Sequence, residues 1–233
     1  MKEFSLEFVR NHAIINNGLD VILLDTGSPS TFFRRDEFRF LYKTYKANRN
    51  INPFNISLLN KVSKELGMDI TTIMGNDILS SYNVLFDYKN ERVGFSEKKI
   101  KLDGIRDSIT QILNVPVVKL ELGGEELSFF LDTGTHISYI SEEFTQGLEP
   151  VEEGIKAFHP EYGNFETSMF CQTAKFHGLE FKACFGNLPE RGNVLFSSRF
   201  GSLLGNVKGI IGYDFFKAFQ IMLSLDKNEI IVK

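Results

Sequence analysis

The chain has 233 residues, 42% of them apolar and 24% charged, with a net charge of −4; this balance describes a globular protein and excludes a low-complexity or disordered one. So mild a charge gives no sign of an acidic tail or a nucleic-acid surface, and Lys98, Lys99 and Lys101 read as a solvated loop. No run approaches the ~20 apolar residues of a membrane span, so neither nucleic acid nor membrane is an expected partner.

In chain order, residues 1–8 alternate polar and apolar side chains and lack the apolar region of a signal peptide. A cytoplasmic protein is the expectation, with a removed leader left open. Val21-Ile22-Leu23-Leu24 reads as a strand that ends in Asp25-Thr26-Gly27-Ser28. Between residues 55 and 66, Ile56, Leu59, Val62 and Leu66 fall at helical spacing, with Asn55 or Ser57 as the cap. Ile73-Met74-Gly75-Asn76-Asp77-Ile78-Leu79 follows, and then a strand–turn–strand pattern turning at Lys89-Asn90-Glu91.

Beyond the polar stretch 98–108 the same landmarks return. Phe129-Phe130-Leu131 leads into Asp132-Thr133-Gly134-Thr135, and Asp132 follows Asp25 by 107 residues. Ile210-Ile211-Gly212-Tyr213-Asp214-Phe215-Phe216 repeats the pattern of two apolar residues, Gly, any residue, Asp, two apolar residues. A second strand–turn–strand pattern turns at Lys227-Asn228-Glu229. The chain is therefore an internal repeat, expected as an N-terminal unit over 1–105 and a C-terminal unit over 106–233. Most apolar runs are short or alternate, so the fold class is mainly β with a few short helices. Phenylalanine, with 23 copies and no tryptophan beside it, is expected to fill much of the core. Cys171 and Cys184 are too few for a disulfide framework and are expected as free thiols.

The repeats differ in one place. Asp25 to Gly75 spans 50 residues, whereas Asp132 to Gly212 spans 80. The longer interval holds a turn-rich segment over 158–165 and two β-like runs joined at His177-Gly178.

One carboxylate per half suits acid–base hydrolysis. Glycine after Asp-Thr permits a tight turn and lets backbone amides approach the carboxylate. Thr26 and Thr133 are placed to hydrogen-bond across the midline, and Ser28 and Thr135 to donate to the outer carboxylate oxygens. Two facing carboxylates cannot both ionise easily, so they share one proton and titrate in two steps. The ionised member can then take a proton from water while the protonated one polarises a carbonyl. With hydroxyls lowering both carboxyls, an optimum below pH 6 is expected. His12, His136, His159 and His177 show no metal-ligand spacing, no Gly-x-Ser-x-Gly elbow occurs, and no glycine-rich phosphate loop is present. No metal and no cofactor is expected.

The pair of motifs, apolar-apolar-Asp-Thr-Gly-Ser/Thr followed by apolar-apolar-Gly, resembles the aspartic proteases of the pepsin and retropepsin type, over almost the whole chain. The resemblance implies two pseudo-twofold-related, double-ψ β-barrel-like lobes of retropepsin size. It implies Asp25 and Asp132 as the catalytic pair, supported by Thr26, Gly27, Ser28, Thr133, Gly134 and Thr135. In it, Ile73, Met74, Gly75 and Ile210, Ile211, Gly212 supply the strands that thread the ψ loops. The implied activity is endoproteolysis of a peptide or protein substrate. One chain supplies both halves, so the pair needs no dimer. Only the second half has room for a substrate-covering flap, with Tyr162 and Gly163 as candidates, against an ordinary hairpin with Tyr162 packed on the body. Phe32, Ile137 and Phe215 are the candidate apolar wall of the cleft. The alternative is a peptide-binding or regulatory module on the same fold without turnover.

Overall fold

The structure, a computed structural model, describes residues 1–46, 52–159, 163–189 and 207–233, with the backbone alone for 52–55. Strands β1 (Lys2–Ser5), β2 (Glu7–Val9), β3 (His12–Asn16) and β4 (Val21–Leu24) lead to the first Asp-Thr-Gly. After it come β5 (Phe32–Phe33), β6 (Glu37–Phe40), β7 (Lys43–Lys46) and helix α1 (Asn52–Leu66). Strand β8 (Thr72–Met74), helix α2 (Asn76–Leu79), β9 (Asn83–Asp87) and β10 (Arg92–Ser96) complete the first half. In the second, β11 (Ile105–Ser108), β12 (Thr110–Ile112), β13 (Val115–Leu122) and β14 (Glu125–Leu131) reach the second Asp-Thr-Gly. They are followed by β15 (Ser138–Ile140), β16 (Glu152–His159), β17 (Gly163–Phe176) and β18 (Leu179–Gly186). Strand β19 (Val207–Ile211), helix α3 (Tyr213–Ala218), β20 (Gln220–Ser224) and β21 (Glu229–Val232) end the chain. The protein is mainly β with few short helices.

A six-stranded sheet in the order β1-β10-β9-β20-β21-β11 joins the halves. Strands β9 and β20 run antiparallel at its centre, with Leu85 opposite Met222 and equal overlap to either side. Each continues into its hairpin partner through a short 3-10 turn ending in a left-handed residue, Glu91 (φ +53°) or Asn228 (φ +51°). Strand β11 starts at Ile105, one residue ahead of the expected 105/106 boundary, and pairs with β21. Main-chain hydrogen bonds therefore hold the two halves in one sheet.

Phenylalanine does fill the core. Phe86, Phe95, Phe129, Phe176, Phe185, Phe215 and Phe216 are fully buried in one cluster spanning both halves. Phe86 meets Phe216 edge-on at 5.0 Å, closing the interface between the halves. Each such ring contributes about 2–3 kcal/mol of burial.

Two local expectations are corrected. Helix α1 begins at Asn52, so Asn55 and Ser57 lie within it and cannot cap it. Pro53 falls in the first turn, where its fixed φ suits a helix start. Leu59, Val62 and Leu66 face a second core cluster containing Ile14, Leu23 and Ile73, whereas Ile56 is exposed. The cysteines are not free: the register of β17 and β18 sets Cys171 directly opposite Cys184, and the two form a disulfide with Cα atoms 4.0 Å apart. Cysteine count alone carries no register, which is why composition pointed the other way.

Candidate active site

Asp25 and Asp132 each follow the last residue of a strand, β4 and β14. Beside β4 runs β8 in parallel, Leu24 opposite Met74; beside β14 runs β19 in parallel, Leu131 opposite Ile211. Met74 O accepts from the Asp25 N–H at 3.0 Å, and Ile211 O from the Asp132 N–H at 2.9 Å. Ile73-Met74-Gly75 and Ile210-Ile211-Gly212 thus anchor the backbone of each aspartate. Beyond them the chain must pass close under the Asp-Thr-Gly loop, and only glycine allows it. A Cβ on Gly75 would lie 2.8 Å from Ser28 O, and one on Gly212 would lie 2.8 Å from Asp132 O. The freed amides are satisfied alike: Gly75 N–H donates to Thr31 Oγ1 at 3.0 Å and Gly212 N–H to Ser138 Oγ at 3.1 Å.

The loops interlock through Thr26 and Thr133. Thr26 Oγ1 donates to Leu131 O at 2.7 Å and accepts from Thr133 N–H at 3.0 Å. Thr133 Oγ1 returns both bonds, to Leu24 O at 2.8 Å and from Thr26 N–H at 3.1 Å. Both threonines are buried. The glycines sit against the opposite carboxylates: a Cβ on Gly134 would lie 2.5 Å from Asp25 Cγ, and one on Gly27 would overlap the Asp132 carboxyl.

The two carboxyl groups hydrogen-bond to each other. Asp25 is pushed well above the usual carboxylate range, first by burial and then by the Asp132 charge and hydrogen bond; the N–H groups of Ser28 and Gly27 oppose this more weakly. Asp132 is also raised by burial, but the Gly134 N–H, the Asp25 hydrogen bond and the Gly27 N–H favour its ionised form. The two raised carboxyls therefore hold one proton between them over a wide pH range. Gly134 N–H donates to Asp132 Oδ1 at 2.7 Å.

Ser28 and Thr135 do not do what the sequence suggested. Ser28 Oγ donates to Ser30 O and Thr135 Oγ1 to Ile137 O, both at 2.8 Å, each closing its own turn. A hydroxyl two residues before a free carbonyl satisfies that local acceptor first. Backbone amides, not hydroxyls, face the carboxylates, and the premise for an acid-shifted optimum falls with that correction.

The dyad lies at the floor of a cleft of about 890 Å³. Leu58, Val62 and Leu66 of α1 form one wall, and Phe158 and His159 of the β16–β17 hairpin reach in from the second half. Phe158 packs on the cluster that contains Leu59 and Val62, so the hairpin touches the opposite wall. Of the candidate flap residues, Gly163 (φ +74°) opens β17 opposite His159, and Tyr162 lies outside the described residues. Phe32 lines the cleft. Phe215 does not; it is buried in the main core, because the residues after Gly212 form α3 and turn its ring inward. Ile137 borders a separate cavity of about 50 Å³.

Several cleft residues carried no motif. Arg10 and His12 flank one end, and Leu113 and Val115 the other. Asn11 Nδ2 donates to His136 O at 2.9 Å and Asn114 Nδ2 to Pro29 O at 3.1 Å, tying each hairpin to the opposite Asp-Thr-Gly loop. Asn76 Nδ2 adds bonds to Thr26 O and Asn114 O, both at 2.7 Å. The available signal was the lone Asn between two apolar runs in each half, a turn signature. Among the described residues no cluster of three or more metal-ligating side chains occurs, and no helix is long and apolar enough to cross a membrane. Compared with protein-family models and with curated proteins, the sequence gives no match.

Proposed function

We propose that the protein is an aspartic endopeptidase built as two pseudo-twofold-related lobes of the double-ψ kind. The strand pairings support the fold reading. Strand β8 is parallel to β4 and antiparallel to β5, while β19 is parallel to β14 and antiparallel to β15. The activity rests on one observation: two raised, mutually hydrogen-bonded carboxyls at the floor of an open cleft.

In this reading a water held between the carboxyls loses a proton to ionised Asp132 as its oxygen attacks the scissile carbonyl carbon. The proton of Asp25 moves to the carbonyl oxygen, giving a neutral tetrahedral diol. Collapse returns the diol proton to Asp25, and Asp132 passes its proton to the leaving amine. The dyad ends with one proton, as it began. The amides of Gly27, Ser28 and Gly134 steady the negative charge without a metal. Because both carboxyls are raised, the singly protonated state persists to higher pH than in a solvated pair. Activity falls on the acid side as the second proton binds and on the alkaline side as the first leaves.

Incubation with a peptide library across pH 3 to 8 tests this. Cleavage that disappears in Asp25→Asn and in Asp132→Asn supports the enzyme. Cleavage that survives either substitution rejects the dyad, and tight peptide binding with no turnover at any pH replaces it with a peptide-binding module.

A further inference from the structure

The two ends of the cleft share a backbone design and differ in side chains. At one end the turn Arg10-Asn11, with φ of +47° and +63°, is tied to the loop carrying His136. At the other the turn Leu113-Asn114, with φ of +51° and +65°, is tied in the same way to the loop carrying Pro29. Matched positions therefore hold Arg10 against Leu113, His12 against Val115 and His136 against Pro29. All six line the cleft. Resting on the peptide-cleaving reading, we propose that this cleft sorts substrates by polarity along their length: the Arg10–His12–His136 end receives an acidic side chain of the peptide, and the Leu113–Val115–Pro29 end receives an apolar one.

Chemistry at the first end favours a carboxylate. Arg10 pairs with Glu65 of α1 through Nη1 alone, which leaves further guanidinium donors of its five. Lys61, one helical turn before Glu65, also lines the cleft and has no ion-pair partner among the described residues. The imidazoles of His12 and His136 stack with centroids 6.0 Å apart. His12 Nδ1 is committed to the carbonyls of Val9 and Arg10 at 3.1 and 2.9 Å, so Nε2 is the atom left for a ligand. His136 is held down to about 4 by burial and then by the charges of His12 and Arg10, and His12 is lowered chiefly by burial. His136 is therefore neutral near pH 6, and burial favours the neutral form of His12 as well. Arg10 and Glu65 act on these rings, Lys61 and the dyad line the same cleft, and Asp214 lines a small cavity together with His136. A carboxylate brought between the rings favours their charged form, so the imidazoles take up a proton from solvent as an acidic ligand binds. At the other end Leu113 is 81% exposed, an apolar side chain held at the mouth with no core to join. An apolar substrate residue that covers it removes that surface from water.

The test scans one glutamate along an otherwise apolar octapeptide. Binding is measured to Asp25→Asn by calorimetry at pH 6 in two buffers of different ionisation enthalpy, and cleavage is measured with the wild type. The expected result is that glutamate on one side of the scissile bond strengthens binding about fivefold with proton uptake, and on the other side weakens it. Arg10→Leu/His12→Val, which copies the apolar end, removes the preference. Leu113→Arg/Val115→His, which copies the polar end, makes glutamate acceptable on both sides and covers the case in which the first variant fails to fold. Equal tolerance of glutamate on both sides in the unaltered cleft, or one-sided preference without proton uptake, overturns the proposal. One-sided binding without wild-type cleavage keeps it and rejects the protease; cleavage without one-sidedness does the reverse. Absence of any peptide binding rejects both.

Discussion

Thr26→Val tests the bond that interlocks the two loops. Valine keeps the shape of threonine and removes the hydroxyl, which in this protein donates to Leu131 O at 2.7 Å and accepts from Thr133 N–H at 3.0 Å. A typical buried hydrogen bond contributes about 1 kcal/mol net, and a buried polar group left without its partner costs about 1–3 kcal/mol. Thr133 N–H loses its acceptor and Leu131 O a donor, at a site where both threonines are buried, so the loss comes to about 3 kcal/mol. Against a total of about 5–15 kcal/mol this is large. It lowers Tm by about 6–12 °C for a chain of this size. The partner change, Thr133→Val, strips the bonds to Leu24 O and from Thr26 N–H, at 2.8 and 3.1 Å. The two variants are therefore expected to agree within about 0.5 kcal/mol. Urea unfolding followed by circular dichroism, with calorimetry for Tm, gives both numbers. A loss below about 0.5 kcal/mol in either, or a several-fold difference between them, refutes the reciprocal lock.

Asp25→Asn is expected to stabilise the fold at pH 8 and to leave it near wild type at pH 4. The folded state holds the Asp25 proton more tightly than the unfolded chain does, so wild-type stability falls as pH rises from about 4 through the raised value, and asparagine has no proton to lose. Thermal melts at the two pH values check this, and a Tm difference independent of pH removes the electrostatic account. Disulfide pairing is checked by thiol titration in denaturant, which is expected to give no reaction before reduction and two thiols after it. For a separation of 13 residues the stabilisation is at most about 3 kcal/mol, so reductant lowers Tm; two reactive thiols in the unreduced protein refute the bridge.

The duplicated landmarks were legible because each is set by chemistry local to a few residues. Apolar runs make strands, and glycine marks the close passages at Gly75 and Gly212, where a Cβ has no room. What depends on turn geometry was not legible: Ser28 and Thr135 have hydroxyls that could serve a carboxylate, and only the curl of each loop turns them to Ser30 O and Ile137 O. What depends on register was hidden too, since Cys171 and Cys184 meet only because β17 and β18 align as they do. The walls of the cleft were least legible. His12 and His136 are distant in sequence and stack because Asn11 binds the carbonyl of His136. Leu58 faces the cleft from the position next to Leu59 on α1, one that the spacing of Ile56, Leu59, Val62 and Leu66 did not mark.

The same contrast separates what must stay matched between the halves from what is free to differ. Residues that hold the carboxylates occur as reciprocal pairs: Thr26 with Thr133, Gly27 with Gly134, Thr31 with Ser138, Asn11 with Asn114. Each member acts on the opposite half or on its own copy of one shared geometry, so a change in one spoils a contact that the other half needs. Arg10, His12 and His136 have no such duty; their side chains project into the cleft while neighbouring Asn11 carries the structural bond. A cleft made by two identical chains would be forced to repeat those side chains at both ends. One polypeptide encoding both halves lifts that restriction, and the divergence falls at positions that line the cleft and spares those that hold the dyad.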